Sequence, residues 1–417
     1  MGSNEKAHEV TKSHVQGAFA FTDEVVKNYP CRLAGRKSCH RAAERIRTEF
    51  HKHCDSGSVK IEEFNVHPQA FLKYIPGLVI VYFICVVLLF FGYPIPALIG
   101  FALGLFVFYG QFVRYWHLLD PLFPKAKGYN VHGSIEPAGE VKQQVVVSAH
   151  HDAAYVFQLL AKMPKYYALL INGGMLFLML GFLVSLVATV LLAFNIVLPL
   201  WIAIVLIIGG VLVLPMAFFT TGEVVPGAGD NMIAVAIAAE IARIFGDPKK
   251  AGDNPLQHTR LIIASFDAEE AGLRGARAYI KKHREELLQT RTCVLNIDTI
   301  YKLKSLTFLD KDLNSTVKLS HQMAKDCVDI AKNMGYAAGI SAMSFGGGST
   351  DAAAFGEAGV EATNIAAMSF DIKDYGEGWV YHTSNDVSKH IEPQAVEAVL
   401  KIVREYILRK DASASQI

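Results

Sequence analysis

Two long stretches of this 417-residue chain carry no charged side chain. Tyr74–Val113 runs for 40 positions between Lys73 and Arg114, and Tyr166–Gly222 runs for 57 between Lys165 and Glu223. A helix needs roughly 20 apolar residues to cross a bilayer, so each stretch has room for two spans and a turn. Gly92-Tyr93-Pro94-Ile95-Pro96 breaks the first stretch, and Phe194, Asn195 and Pro199 break the second. Tyr74, Tyr109, Tyr115 and Trp116 stand at the ends of the first stretch, where aromatic rings prefer the membrane interface. Buried core helices are the alternative, and uncharged runs of this length argue against them. Gly173-Gly174, Gly181 and Gly209-Gly210 predict close helix packing, with Asn172 available to bond a neighbouring helix. No ionisable residue lies inside the expected spans, which argues against an ion pathway or a transporter.

The remainder alternates between strand and helix patterns. Residues 12–54 read as helical, with Ala42, Ala43, Ile46 and Phe50 recurring at helical spacing. Val59–Gln69 reads as a strand ending before Pro68. Gly128–Pro137 and the run through Val145-Val146-Val147 read as neighbouring strands joined by the turn Pro137–Glu140. After Gly222 come a Gly-rich turn, a helix from about Asn231, and strands at Leu261–Phe266, Cys293–Ile300 and Leu303–Asp310. A helix over 315–334, a turn and strand near 355–368, and an amphipathic helix over Pro393–Arg409 complete the pattern. Such alternation predicts an α/β fold: a mostly parallel mixed sheet sandwiched by helices, with four transmembrane helices inserted as two hairpins. The expected segments are 1–73, 114–165 and 223–417 for the α/β part, and 74–113 and 166–222 for the hairpins.

Composition narrows the partners. A formal net charge of +1 gives no sign of nucleic-acid binding. Hydrophobic residues make up 52% and charged residues 19%, which suits a chain in contact with a lipid bilayer. Cys31, Cys39, Cys54, Cys85, Cys293 and Cys327 show no C-x-x-C spacing and read as free thiols of a reducing compartment. His40, His51 and His53 lie near three of them, but the spacing fits no zinc pattern. The start, MGSNEKAHEV, has no apolar region of a signal peptide, and Lys6 stands where myristoylation of Gly2 needs Ser or Thr.

Candidate metal ligands fall at the ends of separate strands: His150 in SAHHD, Asp230 in GAGDN, Glu270 in FDAEE, Asp298 in NID and His382 in YHTSND. Two imidazoles and three carboxylates suit a borderline divalent ion, zinc above all. Five ligands exceed what one catalytic zinc takes from protein and suit two ions sharing a carboxylate. Asp152 stands two residues beyond His150, on the same side of an extended chain, where it can hold the other ring nitrogen. Each residue also has an ordinary reading. Asp230 could cap a helix, Glu269 and Glu270 could be first-turn acids, Asp298 could cap a turn, and His382 could be a surface histidine. Five together in strand-to-loop contexts make coincidence a poor account.

As a set these motifs resemble the co-catalytic di-zinc exopeptidases, a family that includes bacterial aminopeptidases, glutamate carboxypeptidase and the single-zinc glutaminyl cyclases. The quoted residues are H-x-D at 150–152, Asp-Asn at 230–231, Glu-Glu-x-Gly-Leu-x-Gly at 269–275, Asn-x-Asp at 296–298 and Tyr-His-x-x-x-Asp at 381–386. The resemblance covers roughly 12–72, 114–160 and 223–409. It implies a zinc-peptidase fold and two zinc ions bridged by Asp230, with His150 and Asp298 completing one site and Glu270 and His382 the other. It implies that Glu269 is the general base toward the water between the ions, that Asp152 orients His150, and that Tyr381 donates to the oxyanion. Gly346–Phe355 matches a family segment near the substrate pocket, with Asp351 a pocket candidate and Ala352 a departure from the usual polar residue.

The insertion of a hairpin is a larger departure. It occupies most of the 78-position step from Asp152 to Asp230, and Glu223 stands only seven residues before Asp230. The expectation is therefore a membrane-embedded exopeptidase, an aminopeptidase for short apolar peptides. A single-zinc glutaminyl cyclase and a non-catalytic receptor or scaffold on the same fold are the alternatives. Lys73, Arg114, Lys162 and Lys165 flank the runs while both hairpin turns are uncharged, which places the catalytic part in the cytoplasm.

Overall fold

The computed structural model describes residues 8–376 and 378–415. Gly2 and Lys6, used above, lie outside them. The chain divides into two compact units. A sheet unit comprises Met1–Pro68, Lys125–Ala154 and Val224–Ile417, and a helical unit comprises Gln69–Pro124 and Tyr155–Glu223. The strands are β1 (Lys60–Val66), β2 (Ala126–Ile135), β3 (Gln143–His150), β4 (Tyr155–Phe157), β5 (Thr220–Val224), β6 (Thr259–Phe266), β7 (Arg291–Ile300), β8 (Leu306–Asp312), β9 (Val317–Lys318), β10 (Gly339–Ala342) and β11 (Glu361–Ala367). The helices are α1 (Lys12–Asn28), α2 (Lys37–His53), α3 (Ile75–Phe90), α4 (Pro94–Phe108), α5 (Gln158–Lys162), α6 (Tyr167–Leu192), α7 (Leu200–Val213), α8 (Ile233–Lys250), α9 (Arg274–Gln289), α10 (His321–Asn333), α11 (Asp351–Glu357) and α12 (Pro393–Ala414).

In the sheet unit the strand order is β1-β2-β6-β3-β7-β11-β8-β10, with β9 beside β8. The centre, β6-β3-β7-β11, is parallel, and β8 pairs parallel with β10. Antiparallel pairs join β1 to β2, β2 to β6 and β11 to β8. The expected mixed sheet, parallel through its centre and flanked by helices, is present. Every residue of β3 is buried, as a strand covered on both faces requires. Its neighbour in the core is α8, whose IAVAIAAEI run is buried on all sides, the pattern of a helix with no solvent face. Alternate β3 residues Val145, Val147 and Ala149 join Ile233, Ile237 and Ile241 of α8 and Val396 and Val403 of α12 in one core.

Three local expectations are corrected. The 12–54 region is two helices, because Pro30 and Gly35 (φ +78°) interrupt it. β2 and β3 are not neighbours: β6, from more than a hundred residues later, lies between them. The expected helix over 315–334 begins only at His321, after β9.

In the helical unit α3 packs on α4 and α7, and α6 packs on both α4 and α7. Four helical segments, Pro68–Phe90, Pro94–Val113, Tyr167–Leu192 and Leu200–Phe218, are long and apolar enough to cross a membrane. The glycines act as the sequence suggests. A Cβ on Gly209 would stand 1.9 Å from the Phe177 ring, and one on Gly181 would stand 2.4 Å from Phe101. Tyr82 is buried and donates its hydroxyl to Leu206 O at 2.7 Å, one helix to another. Outward positions are large and apolar, Val211 being 70% exposed and Ile80 60%. Asn172 faces outward instead of bonding a neighbouring helix.

Candidate metal centre

The sheet ends where its chemistry begins. His150 is the last residue of β3, and Asp298 lies near the end of β7. Glu269 and Glu270 lie in the turn after β6, Asp230 lies in the turn before α8, and His382 lies in the loop that follows β11. The backbone bends sharply at these points: Ala268, Thr299 and His382 all have φ between +52° and +61°, a region that side chains other than glycine enter at a cost. Gly229 allows a close approach, since a Cβ there would stand 2.0 Å from the Tyr301 ring.

Two donor sets result, and they share a residue. His150, Asp230 and Asp298 offer one cluster of ligand atoms, and Asp230, Glu270 and His382 offer another, each within 4.8 Å. His150 Nε2 stands 3.2 Å from Asp230 Oδ1 and 3.8 Å from Asp298 Oδ1. On the other side His382 Nε2 stands 3.1 Å from Asp230 Oδ2 and 3.3 Å from Glu270 Oε1. Asp230 therefore turns one oxygen to each histidine. Its Oδ2 is buried and makes no hydrogen bond despite that 3.1 Å approach. Nitrogen and oxygen atoms converging in this way suit a cation between them, and imidazole with carboxylate suits zinc.

For Asp230, Glu269, Glu270 and His382 the ordinary readings do not hold. Met232, not Asp230, occupies the N-cap of α8. Glu269 and Glu270 precede α9, which starts at Arg274. His382 is only 4% exposed.

Supporting bonds lock the turns together. Asp152 accepts the backbone N–H of Glu269 and of Glu270, both at 3.1 Å, and its Oδ1 stands 3.4 Å from His150 Nδ1. That nitrogen is also 3.2 Å from the Asp152 carbonyl. Asn231 donates to Ile297 O at 2.8 Å and accepts from Thr299 N at 3.3 Å, fastening the Asp230 turn to β7. Two further fasteners carried no expected role. Asp386 accepts from the backbone N–H of Gly229 (2.7 Å) and Asp230 (3.2 Å). Arg32, 1% exposed, donates Nε to His151 O at 3.0 Å and Nη2 to Pro226 O and Gly227 O at 2.9 Å. It joins the β3 end to the approach to Asp230. The only sequence signal for Asp386 was its place in the Tyr-His-x-x-x-Asp motif, and Arg32 had none.

Electrostatics follow from packing several carboxylates out of water. Burial pushes the Glu269 carboxyl well above the usual range, and the Glu270 and Asp298 charges add to this against His150. Burial likewise raises Glu270 and Asp298. His382 would be lowered by burial, but Glu270 and Asp230 push it up to about 10. Divalent cations at this point would reverse the pressure on the carboxyls. Burial and the nearby Asp230, Glu270, Asp298 and Glu269 charges raise the Tyr381 phenol, so it stays a hydrogen donor. Its ring lies 4.0 Å from that of His382. Asp351 is fully buried, both carboxyl oxygens lack a hydrogen bond, and the charges it feels include His150 and Asp298.

Comparisons with known proteins bear on the fold. Residues 212–407 match the model of peptidase family M28. A probable glutamate carboxypeptidase of Arthroderma benhamiae is 35% identical over 75 residues, which is 18% of this chain and 10% of that protein. The chain thus matches only a tenth of that relative's length. Among solved structures, a leucine aminopeptidase precursor from Bacteroides thetaiotaomicron superposes with a TM-score of 0.55 at 14% identity, over 96% of this chain and 98% of that one. A glutaminyl cyclase from the same organism, bound to N-acetylhistamine, gives 0.55 at 14% identity, over 96% and 99%. The fold is the one those exopeptidases and cyclases share.

Proposed function

We propose that this chain, a relative of the co-catalytic zinc exopeptidases, is a membrane-embedded aminopeptidase that uses two zinc ions bridged by Asp230. The observation that carries the reading is the shared carboxylate: Asp230 belongs to both donor sets, one oxygen toward each histidine. His150 and Asp298 would hold one ion, Glu270 and His382 the other. Bound zinc would supply Lewis acidity and a water of lowered pKa. Glu269 takes the proton of the attacking water and passes it to the leaving amine, turning hydrolysis of the peptide bond into two short transfers. Tyr381 donates its hydroxyl to the carbonyl oxygen as negative charge develops there. Asp152 orients His150 while holding the Glu269–Glu270 turn by its N–H groups.

Glu269→Gln tests the chemistry. It should leave zinc content and folding unchanged and lower turnover on aminoacyl substrates at least about a hundredfold. Unchanged turnover in the metallated variant removes Glu269 from the mechanism. The glutaminyl cyclase likeness supports a second reading with one ion. Elemental analysis separates the two: Asp230→Ala should lose two zinc ions as a peptidase and one as a cyclase. A non-catalytic scaffold would lose none.

The hairpins, 74–113 and 166–222, would be four membrane spans set into a peptidase domain made of 1–73, 114–165 and 223–417. Their charged flanks support a cytoplasmic catalytic domain. Impermeant labelling of a cysteine placed at Lys410 in intact cells would contradict this. Chain connectivity supports the choice of substrate. Only seven residues run from Glu223, which closes the second uncharged run, to Asp230. Short apolar peptides that partition into the bilayer would gain most. Matched apolar and polar peptides should then differ in kcat/KM in lipid vesicles but not in detergent, and equal values in vesicles would leave the hairpins as anchors alone.

A further inference from the structure

A second constellation of metal-ligand type lies at the β1–β2 edge of the sheet unit, where it shares no residue with the centre above. Glu62 on β1 pairs with Asn130 on β2, so Glu62, Asn130 and His132 look out from one face of that edge. That face meets α9: Asn130 Nδ2 donates to Gly275 O at 2.8 Å. His283, also on α9, completes the group. His132 Nε2 stands 3.2 Å from Glu62 Oε1, and His283 Nε2 stands 3.0 Å from the same oxygen and 3.1 Å from Oε2. One ligand atom from each residue lies within 4.8 Å of the others. Tyr279 backs both imidazoles, with ring centroids 5.3 Å from His132 and 4.4 Å from His283, and fixes their planes.

An ordinary ion-pair cluster would aim each N–H at the carboxylate. His132 does not: its Nε2 is buried and makes no hydrogen bond, although the Glu62 oxygen is 3.2 Å away. A nitrogen so placed beside a carboxylate suits a cation between them. The side chains of Glu62, His132 and His283 are 8%, 12% and 19% exposed, shielded from bulk water yet reachable. Over the carboxylate sits Lys282 Nζ at 2.8 Å, on a side chain 62% exposed. That ammonium already neutralises the carboxylate and can swing away when another cation arrives. Two imidazoles and one carboxylate with open positions suit zinc or another borderline divalent ion.

We propose that Glu62, His132 and His283 form a further transition-metal site that clamps the β1–β2 edge to α9. This helix begins just beyond the turn holding Glu269 and Glu270, so the ion braces the helix leading away from the catalytic turn. The proposal does not depend on the function argued above, and its test is read with that centre disabled.

The experiment uses full-length protein carrying Asp230→Ala, stripped with chelator and titrated with zinc alone. One zinc per chain should bind, and it should be lost when His132→Phe or His283→Gln is added. Copper(II) in the same background should show electron paramagnetic resonance coupling to two nitrogens. Lys282→Met removes the competing ammonium and should tighten zinc binding about fivefold, the scale of one partly exposed charge. Far-UV circular dichroism and the melting temperature without metal confirm that each variant is folded. Retention of the zinc in folded His132→Phe and His283→Gln variants, or no zinc bound to the Asp230→Ala chain, overturns the site. Weaker zinc binding in Lys282→Met would also count against it.

Discussion

Buried positions in the sheet unit include Arg32, His151, Asp267 and Asp386, while those in the helical unit include Tyr82, Phe101, Ala97 and Val86. The first group is held by directed bonds. Arg32 alone reaches three carbonyls at 3.0 Å or less, and Asp386 gathers two backbone N–H groups. The second group is held mainly by shape beside the Tyr82 bond, with glycines at 181 and 209 receiving the rings of Phe101 and Phe177. Surfaces differ in the opposite sense. Glu63, Lys127 and Lys282 help cover the sheet unit, whereas Val197, Val211 and Trp201 cover the helical unit at 80%, 70% and 62% exposure. A buried charge is tolerable where backbone dipoles or counter-charges surround it. A membrane-length helix offers neither to its neighbours, so its interior relies on close contact. One unit should therefore be sensitive to charge and the other to volume.

The largest expected effect is in the sheet unit. Asp230→Ala should abolish peptide hydrolysis and metal binding by both donor sets, while His150→Ala should weaken mainly one set, by at least about 10–100-fold. Helix content contributed by the hairpins should be unchanged in both. Retention of both ions at wild-type affinity in Asp230→Ala would break the assignment of the bridge.

A smaller effect should follow from volume. Gly209→Leu drives a side chain into Phe177 and should destabilise the helical unit by roughly 1–3 kcal/mol, the usual cost of overpacking. Melting in detergent, followed by circular dichroism, reads this loss, and zinc content should stay at the wild-type value. Simultaneous loss of zinc would mean that the two units do not respond separately. Smallest of all should be Tyr82→Phe, which removes the hydroxyl bond to Leu206 O. About 0.6 kcal/mol is typical for such a bond between membrane helices, and a loss several times larger would show that shape is not the main term there.

The five candidate ligands were legible because each sits in a short motif at a strand end, where residue type alone suggests the chemistry. Their grouping into two sets came from the family resemblance and not from the residues alone, and the sheet order that brings them together was only partly readable. The turn at Pro137–Glu140 suggested that β2 and β3 pair, yet the backbone of Thr259–Phe266 fits between them. Local turn signals carry no information about a strand arriving from so far along the chain. Arg32 was invisible for a different reason: its partners are carbonyls at 151, 226 and 227, and any residue type supplies a carbonyl. Glu62, His132 and His283 escaped notice because their meeting depends on a diagonal across two strands and on the approach of α9. The four long apolar helices were easiest to read, since an uncharged run leaves a chain few alternatives.

The order of β3 in the sheet has a consequence for synthesis. Its partners β6 and β7 are encoded after the second hairpin, and β11, which closes the parallel centre, ends at Ala367. At about 5–20 residues per second, roughly 10 to 40 s separate the emergence of His150 from that of Ala367. Until Thr259–Phe266 emerges, Val145-Val146-Val147 is an apolar strand without either sheet partner on a ribosome-bound chain. The sheet unit can therefore close only near the end of translation, and a nascent chain released before Ala367 would lack the last strand of the parallel centre.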